Sequence, residues 1–357
     1  MRVIISAGGT GGHIYPALSI LNKIKEKDPK SEILYIGTTE RMEAKIVPEM
    51  GIPYKGVNVI GLKKNLTIFK AGFLFLRAIS KCKKIIKEFK PDIVIGVGGY
   101  ITAPVIYSAK KLGIKTVIHE QNSIPGKSNT FLEKYVDKIF LSLPGSKEYF
   151  KKNTNTVLTG NPRSQEAYYA KKMDKKELGF HANKKLVLIV MGSLGSTTVT
   201  NSLMEIIPKF KDKDYEVLII SGKDYYDQYP KDLPNNVKVI PFLNNMVNLL
   251  KSVDVMVTRA GASTIAEILA VGLPSILVPS PYVANNHQLF NAKELVNNNC
   301  ALILEEKDLN SNNLLKKIDL LLENSVLYKE MSVNAKKLSV ISSSDKIYEE
   351  IKKVLGG

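Results

Sequence analysis

At 357 residues and 44% hydrophobic content, the chain is long enough for two cores and apolar enough to fold in water. Its formal net charge is +17, and no stretch approaches the ~18 uninterrupted apolar residues needed to cross a bilayer. Two widely separated cysteines, Cys82 and Cys300, with no CxxC spacing, exclude a disulfide framework and fit a reducing, cytosolic setting.

The chain begins directly with a strand pattern, Val3–Ser6, so no signal peptide is expected. Gly8-Gly-Thr-Gly-Gly12 follows, and His13 opens a helix-period stretch at Ala17, Leu18, Ile20, Leu21 and Ile24. Glycines let a backbone approach a ligand closely, and the N–H groups of a helix start attract phosphate. A histidine placed there can exchange protons near neutral pH; the plainer reading is a tight βα turn with an incidental histidine.

Further strands are expected at 32–37, 57–60, 92–96, 115–119, 138–142 and 155–158. Helices are expected at 16–27, 40–50, 68–89, 101–112 and 145–151. Fully apolar strands alternating with helices imply a parallel sheet covered on both faces. Gly8–Gly12, Gly96–Tyr100 and His119–Asn122 all follow strands and should gather at their carboxyl ends, where such sheets bind ligands. Residues 164–185 are polar and Lys-rich and read as a linker. The pattern restarts with a strand at 186–191, a second Gly/Ser loop at Gly192–Ser196 and a helix at 198–209. Strands at 216–220, 237–240, 253–257 and 275–278 follow, with helices at 244–251, 262–271, 287–298, 311–323, 326–339 and 345–354. The expected organisation is a domain over 1–163, a linker over 164–185, a second domain over 186–340, and a terminal helical segment over 341–357 able to pack back on the first domain.

A dinucleotide site fails two requirements. The third glycine of G-x-G-x-x-G is missing, and the second strand closes on Gly37-Thr38-Thr39 with no acid to hold a ribose. Arg259-Ala-Gly-Ala-Ser-Thr-Ile-Ala-Glu267 carries a second chemistry. Small residues and hydroxyls at a helix start suit a diphosphate, and Glu267 could accept bonds from ribose hydroxyls. The competing reading is a helix capped by Ser263, with Glu267 a surface acid. Asp212-Lys-Asp214 spells D-x-D but sits in a Lys-rich run, so no metal and no cofactor is expected.

Taken together, Gly8-Gly-Thr-Gly-Gly-His13, Glu40-Arg-Met-Glu43, Gly61-Leu62, Gly96-Val-Gly-Gly-Tyr100, His119-Glu-Gln-Asn122, Gly160-Asn-Pro162, Gly192-Ser193, Arg259–Ala262, Gly272-Leu-Pro274 and Gln288 with Asn291-Ala292 resemble the MurG family of N-acetylglucosaminyltransferases from residue 2 to about 300. The resemblance implies a GT-B fold, two Rossmann-like domains with parallel sheets facing across a cleft. It implies inverting transfer of GlcNAc from UDP-GlcNAc to the 4-hydroxyl of MurNAc in lipid I, giving lipid II. The matching donor residues are Thr10, Gly11, Gly12, Asn122, Arg163, Ser193, Leu243, Ala262, Ser263, Thr264, Ile265, Ala266, Glu267 and Gln288. Leu243 matches a backbone contact to uracil and Glu267 the ribose-binding acid; His13 and Tyr100 match residues near the acceptor. Arg163 follows Pro162 one residue earlier than the family pattern, Met191-Gly-Ser-Leu-Gly-Ser196 stands where the family loop usually begins with two glycines, and His287 precedes Gln288 where some members carry paired glutamines.

An inverting displacement needs a base for the attacking hydroxyl and something to absorb charge on the departing diphosphate. His13 is the expected base, against a purely structural or phosphate-binding role. The helix start at 262–265, the Ser193 loop and Arg163 are the expected leaving-group stabilisers.

The positive charge is concentrated. Residues 1–163 carry 27 Lys/Arg against 12 Asp/Glu, whereas 164–357 carry 24 against 22. Lys63, Lys64, Leu66, Phe69, Phe73 and Lys81 form an apolar patch ringed by cations, suited to an anionic membrane surface. Some of these apolar residues must instead pack a helix on the sheet. A peripheral enzyme on the cytoplasmic face of the cell membrane is therefore expected, with UDP-GlcNAc, lipid I and other cell-wall synthesis proteins as partners. Nucleic acid is not expected, since no binding module accompanies the charge. The alternatives are another GT-B UDP-sugar transferase and a non-catalytic basic lipid- or nucleic-acid-binding module.

Overall fold

The structure, a computed structural model, describes residues 1–59, 68–151, 155–192 and 196–357, with 68–71 described by backbone alone. The chain forms two compact units, Met1–Arg163 with Ser342–Gly357, and Ser164–Ile341.

Among the described residues, the first unit holds β1 (Arg2–Ser6), β2 (Glu32–Thr38), β3 (Tyr54–Val57), β4 (Ile93–Gly96), β5 (Lys115–Glu120), β6 (Lys138–Leu141) and β7 (Thr156–Leu158). They pair in parallel in the order β3-β2-β1-β4-β5-β6-β7. Its helices are α1 (Gly11–Lys27), α2 (Met42–Glu49), α3 (Ile68–Phe89), α4 (Thr102–Lys111) and α5 (Lys127–Leu132); α6 (Pro162–Tyr169) runs across the boundary into the second unit.

The second unit holds β8 (Leu186–Val190), β9 (Glu216–Ile220), β10 (Val237–Ile240), β11 (Val255–Thr258), β12 (Ser275–Leu277) and β13 (Leu302–Ile303), parallel in the order β10-β9-β8-β11-β12-β13. Its helices are α7 (Thr197–Ile206), α8 (Met246–Leu250), α9 (Ala262–Val271), α10 (His287–Asn297), α11 (Ser311–Glu323) and α12 (Ser325–Leu338). The last helix, α13 (Ser343–Leu355), belongs to the first unit.

Strand alternation places the core. On β1, Val3 and Ile5 join a cluster with Ile14, Leu18 and Ile24 of α1 and Ile347 and Ile351 of α13. Ile4 points the other way, to Ala78, Cys82 and Ile86 of α3 and Val105 and Ile106 of α4. Both faces are buried, which is why the strand reads as an unbroken apolar run. α13 is pinned further by an ion pair, Lys138 Nζ to Glu350 Oε2 at 2.7 Å.

Three expectations shift. α1 starts at Gly11, not Pro16; burial of Ile14 and Pro16 outweighs the lost hydrogen bond and the carbonyl clash that a proline brings inside a helix. The strand expected at 57–60 lies at Tyr54–Val57, where Tyr35 pairs and stacks with Tyr54 at 5.9 Å. The stretch 164–185, read as a linker, carries most of α6 and a capped 3-10 turn at Lys175–Leu178 and is counted within the second unit.

Candidate active site

Strand order reverses between β1 and β4 in the first sheet and between β8 and β11 in the second. Loops leaving the carboxyl ends at such a reversal flank the ligand crevice of a parallel sheet. The glycine-bearing loops occupy these places: Gly8–Gly12 and Gly96–Tyr100 in one unit, Gly192 and Arg259–Ala262 in the other.

In the first unit the two loops touch backbone to backbone. Gly8 N–H donates to Gly98 O at 3.2 Å and Val97 N–H to Ser6 O at 2.8 Å. Gly98 and Gly99 have φ of +108° and +89°, and a Cβ on Gly99 would collide with the Gly8 carbonyl, so glycine is required by conformation and by space. Thr10 is the extended N-cap of α1 and makes no side-chain cap bond; Gly11 and Gly12 are the first helical residues. His13 is half-buried, its Nδ1 3.2 Å from Gly8 O and 3.4 Å from Thr10 Oγ1. Tyr100 ends the facing loop and is exposed. Thus His13 is brought against Gly98, and Gly8 against Gly98 and Gly99.

His119-Glu-Gln-Asn122 divides its labour. His119 is fully buried, and burial lowers its pKa to about 4, so the ring is neutral at neutral pH. Its Nε2 lies 3.0 Å from Gly160 O, and Nδ1 lies 3.1 Å from Gln121 Nε2, which also donates to Val97 O at 2.7 Å. Since Gly160 O only accepts, Nε2 carries the ring proton. Glu120 accepts from the backbone N–H groups of Asn122 and Gly126, both at 3.0 Å, and from Asn129 Nδ2 at 2.8 Å. The first three residues therefore shape the loop from inside, while Asn122 is half-buried. Arg163 is half-buried at the start of α6, its N–H donating to Asn161 Oδ1 at 3.1 Å.

In the second unit Gly261, not Ser263, is the N-cap of α9. The capping reading of Ser263 is corrected accordingly: its Oγ is buried without a hydrogen-bond partner among the described residues. Glu267 is buried, which removes the reading of it as a surface acid. Thr264 is half-buried, whereas the side chains of Ala262, Ile265 and Ala266 are buried and the Ile265 N–H is taken by Gly261 O at 2.9 Å. Arg259 points into the unit, its Nη2 2.6 Å from buried Glu306 and its Nη1 donating to Val278 O at 3.1 Å. α10 is tied to this loop by Asn291 Nδ2 donating to Ala260 O at 3.1 Å, and Gln288 Oε1 accepts from Ser280 N–H at 2.9 Å. His287 Nδ1 lies 2.8 Å from Ala284 O. Leu243 is half-buried beyond β10, and Ser193 lies outside the described residues.

No group of three or more His, Cys, Asp or Glu is placed to hold a metal among the described residues. Asp212 and Asp214 are exposed around Lys213, which pairs with Asp319 at 2.6 Å. Among the membrane-patch residues, Phe73 and Lys81 are exposed on α3; Lys63, Lys64 and Leu66 lie outside the described residues, as does the side chain of Phe69.

Three supporting residues have no role legible in the sequence: Glu43 and Gln121 stand there only within longer motifs, and Glu306 in none. Glu43 is wholly buried and accepts from the N–H of Gly9 at 3.0 Å, the N–H of Thr38 at 3.0 Å and the Thr38 hydroxyl at 2.6 Å. An acid in the first turn of a helix ordinarily reads as a response to the helix dipole, so its pattern gives no warning of this role.

The N-terminal domain model of glycosyltransferase family 28 matches residues 3–141, and the C-terminal domain model matches residues 186–347. The chain belongs to glycosyltransferase family 28. It is 43% identical, over 99% of its length and 100% of the relative's, to a UDP-N-acetylglucosamine–N-acetylmuramyl-(pentapeptide) pyrophosphoryl-undecaprenol N-acetylglucosamine transferase of Bacillus cytotoxicus. The Bacillus licheniformis protein of the same name is also 43% identical, with 99% of each chain covered. The crystal structure of Acinetobacter baumannii MurG superposes with a TM-score of 0.80 at 26% identity, covering 99% of both chains. The resemblance to the MurG family and the GT-B fold class are thereby borne out.

Proposed function

We propose that the protein transfers GlcNAc from UDP-GlcNAc to the 4-hydroxyl of MurNAc in lipid I, producing lipid II for cell-wall biogenesis. The observation that carries this reading is full-length 43% identity to transferases of that name.

In the proposed mechanism His13 takes the proton of the attacking 4-hydroxyl, whose oxygen bonds to C1 of GlcNAc as the C1–O bond to the diphosphate breaks. The electron pair leaves with UDP. The N–H groups at the start of α9, with Ser263, Thr264, Ser193 and Arg163, receive the charge of the departing diphosphate. Glu267 holds the ribose, the backbone at Leu243 reads the base, and Gln288 meets the sugar. Thr10, Gly11 and Gly12 approach the diphosphate, Asn122 completes the donor contacts, and Tyr100 borders the acceptor. Two observations support these roles: the loops stand at the reversal of strand order in each sheet, and Ser263 Oγ is buried without a hydrogen-bond partner among the described residues.

The acceptor carries a lipid, and no helix among the described residues is long and apolar enough to cross a membrane. We infer peripheral attachment to the cytoplasmic face of the cell membrane through the basic first unit, with Phe73 and Lys81 on the attaching surface. The deciding experiment incubates the protein with labelled UDP-GlcNAc and a lipid I analogue. Formation of the disaccharide product is expected; no transfer, together with no thermal protection by UDP-GlcNAc, would sink the reading.

A further inference from the structure

Glu43 has 0% exposure, and its hydrogen-bond donors are all neutral: Gly9 N–H, Thr38 N–H and the Thr38 hydroxyl. A carboxyl group in such a place costs desolvation, and among the described residues no cation is paired with it, so a geometric task is the natural reason to keep it. The task is visible in one peptide unit. Gly9 N–H and Gly8 C=O are opposite ends of the same planar group. Its N–H end meets Glu43 Oε2 at 3.0 Å, and its C=O end meets His13 Nδ1 at 3.2 Å. A carbonyl oxygen only accepts, so in this contact Nδ1 carries the proton and Nε2 is the basic nitrogen. Accepting the N–H also polarises the peptide and strengthens its carbonyl as an acceptor. The approach is close: a Cβ on Gly8 would stand 2.9 Å from Glu43 Cδ and 3.1 Å from Ile101 Cγ2.

We infer that Glu43 is a positioning residue for His13. It fixes the Gly8–Gly9 peptide and, through that peptide, the tautomer and orientation of the imidazole. This deepens the transferase reading and rests on His13 as its base.

The test reads the imidazole nitrogens by ¹⁵N NMR at about pH 8. The wild-type protein, Glu43→Gln, and His13→Asn for signal assignment are compared, with steady-state kinetics on the first two. Expected are an Nδ1–H tautomer for His13 in the wild type and a mixture of tautomers in Glu43→Gln, with the other histidines unmoved. kcat should fall about tenfold or more while KM for UDP-GlcNAc stays within about twofold. An Nε2–H tautomer in the wild type overturns the inference, and that measurement needs no variant to fold. So does a Glu43→Gln protein whose His13 signals and kcat match the wild type. Because the tautomer is read without turnover, an inactive wild type would count against the transferase reading alone.

Discussion

A Cβ on Gly98 would lie 2.5 Å from Cδ2 and 2.9 Å from Nε2 of His13, so the bare backbone of the β4 loop is a wall for the imidazole. Gly98 also has φ +108°, a conformation that a side chain strains by about 1–3 kcal/mol. Gly98→Ala is therefore expected to displace His13 and lower kcat by about 100-fold. Thermal protection by UDP-GlcNAc should be retained, because the proposed donor contacts lie mainly in the other unit. Kinetics paired with thermal-shift titration check this; an unchanged kcat would mean the ring tolerates displacement.

His119 predicts a pH dependence of stability. Its folded pKa is about 4 against an unfolded value of 6.5, so between these limits the unfolded chain binds a proton that the folded chain refuses. Stability is fully present above pH 6.5 and falls as pH drops toward 4, by about 3 kcal/mol from this residue. His119→Gln retains an N–H for Gly160 O but cannot titrate. Urea midpoints between these pH values should decline less steeply in the variant, and parallel slopes would contradict the assignment.

Much of this was legible because the fold depends on patterns that a sequence carries openly. Val3–Ile5 of β1, Ile93–Ile95 of β4 and all of β8 are apolar without a break, and the glycines that follow mark where a chain must turn close to another backbone. The start of α1 was harder, because Pro16 looks like a first helical residue and only the packing of Ile14 shows the helix already under way. α5, α6 and the two-residue β13 are too short for periodicity to declare. In the site, the residues expected at the ligand surface carry recognisable chemistry, whereas Glu43, Gln121 and Glu306 act inward. What such a residue holds depends on which loops tertiary structure brings to it, and spacing along the chain does not encode that.

The Arg259–Glu306 pair gives a sharp stability prediction. Both side chains are under 10% exposed, and the guanidinium also donates to Val278 O, linking the loop before α9 to the segment after β13. Glu306→Ala would strand a buried cation and cost about 3–5 kcal/mol. Glu306→Gln retains an acceptor and should cost less. Denaturant unfolding followed by a probe in the second unit orders the three proteins; equal midpoints would show the pair to be dispensable.

The last prediction concerns the surface of α3. Ala78, Cys82, Ile85 and Ile86 bury one stripe of this helix against the sheet, which accounts for its packing without Phe73 or Leu76. Those two are 65% and 66% exposed, and Phe75 stacks edge-to-face on the partly exposed Phe131 at 6.3 Å. Lys81 and Lys84 are exposed along the same helix. Apolar side chains turned to solvent beside cations are placed to insert shallowly among anionic headgroups, each cation adding about 1 kcal/mol near the surface. Phe73→Ser with Leu76→Ser should weaken co-sedimentation with anionic vesicles at every salt concentration. Lys81→Glu with Lys84→Glu should weaken it mainly at low salt, where screening is least. Both variants should keep their thermal stability, since neither removes a core contact. If both bind vesicles as the wild type does, this face of α3 does not carry attachment.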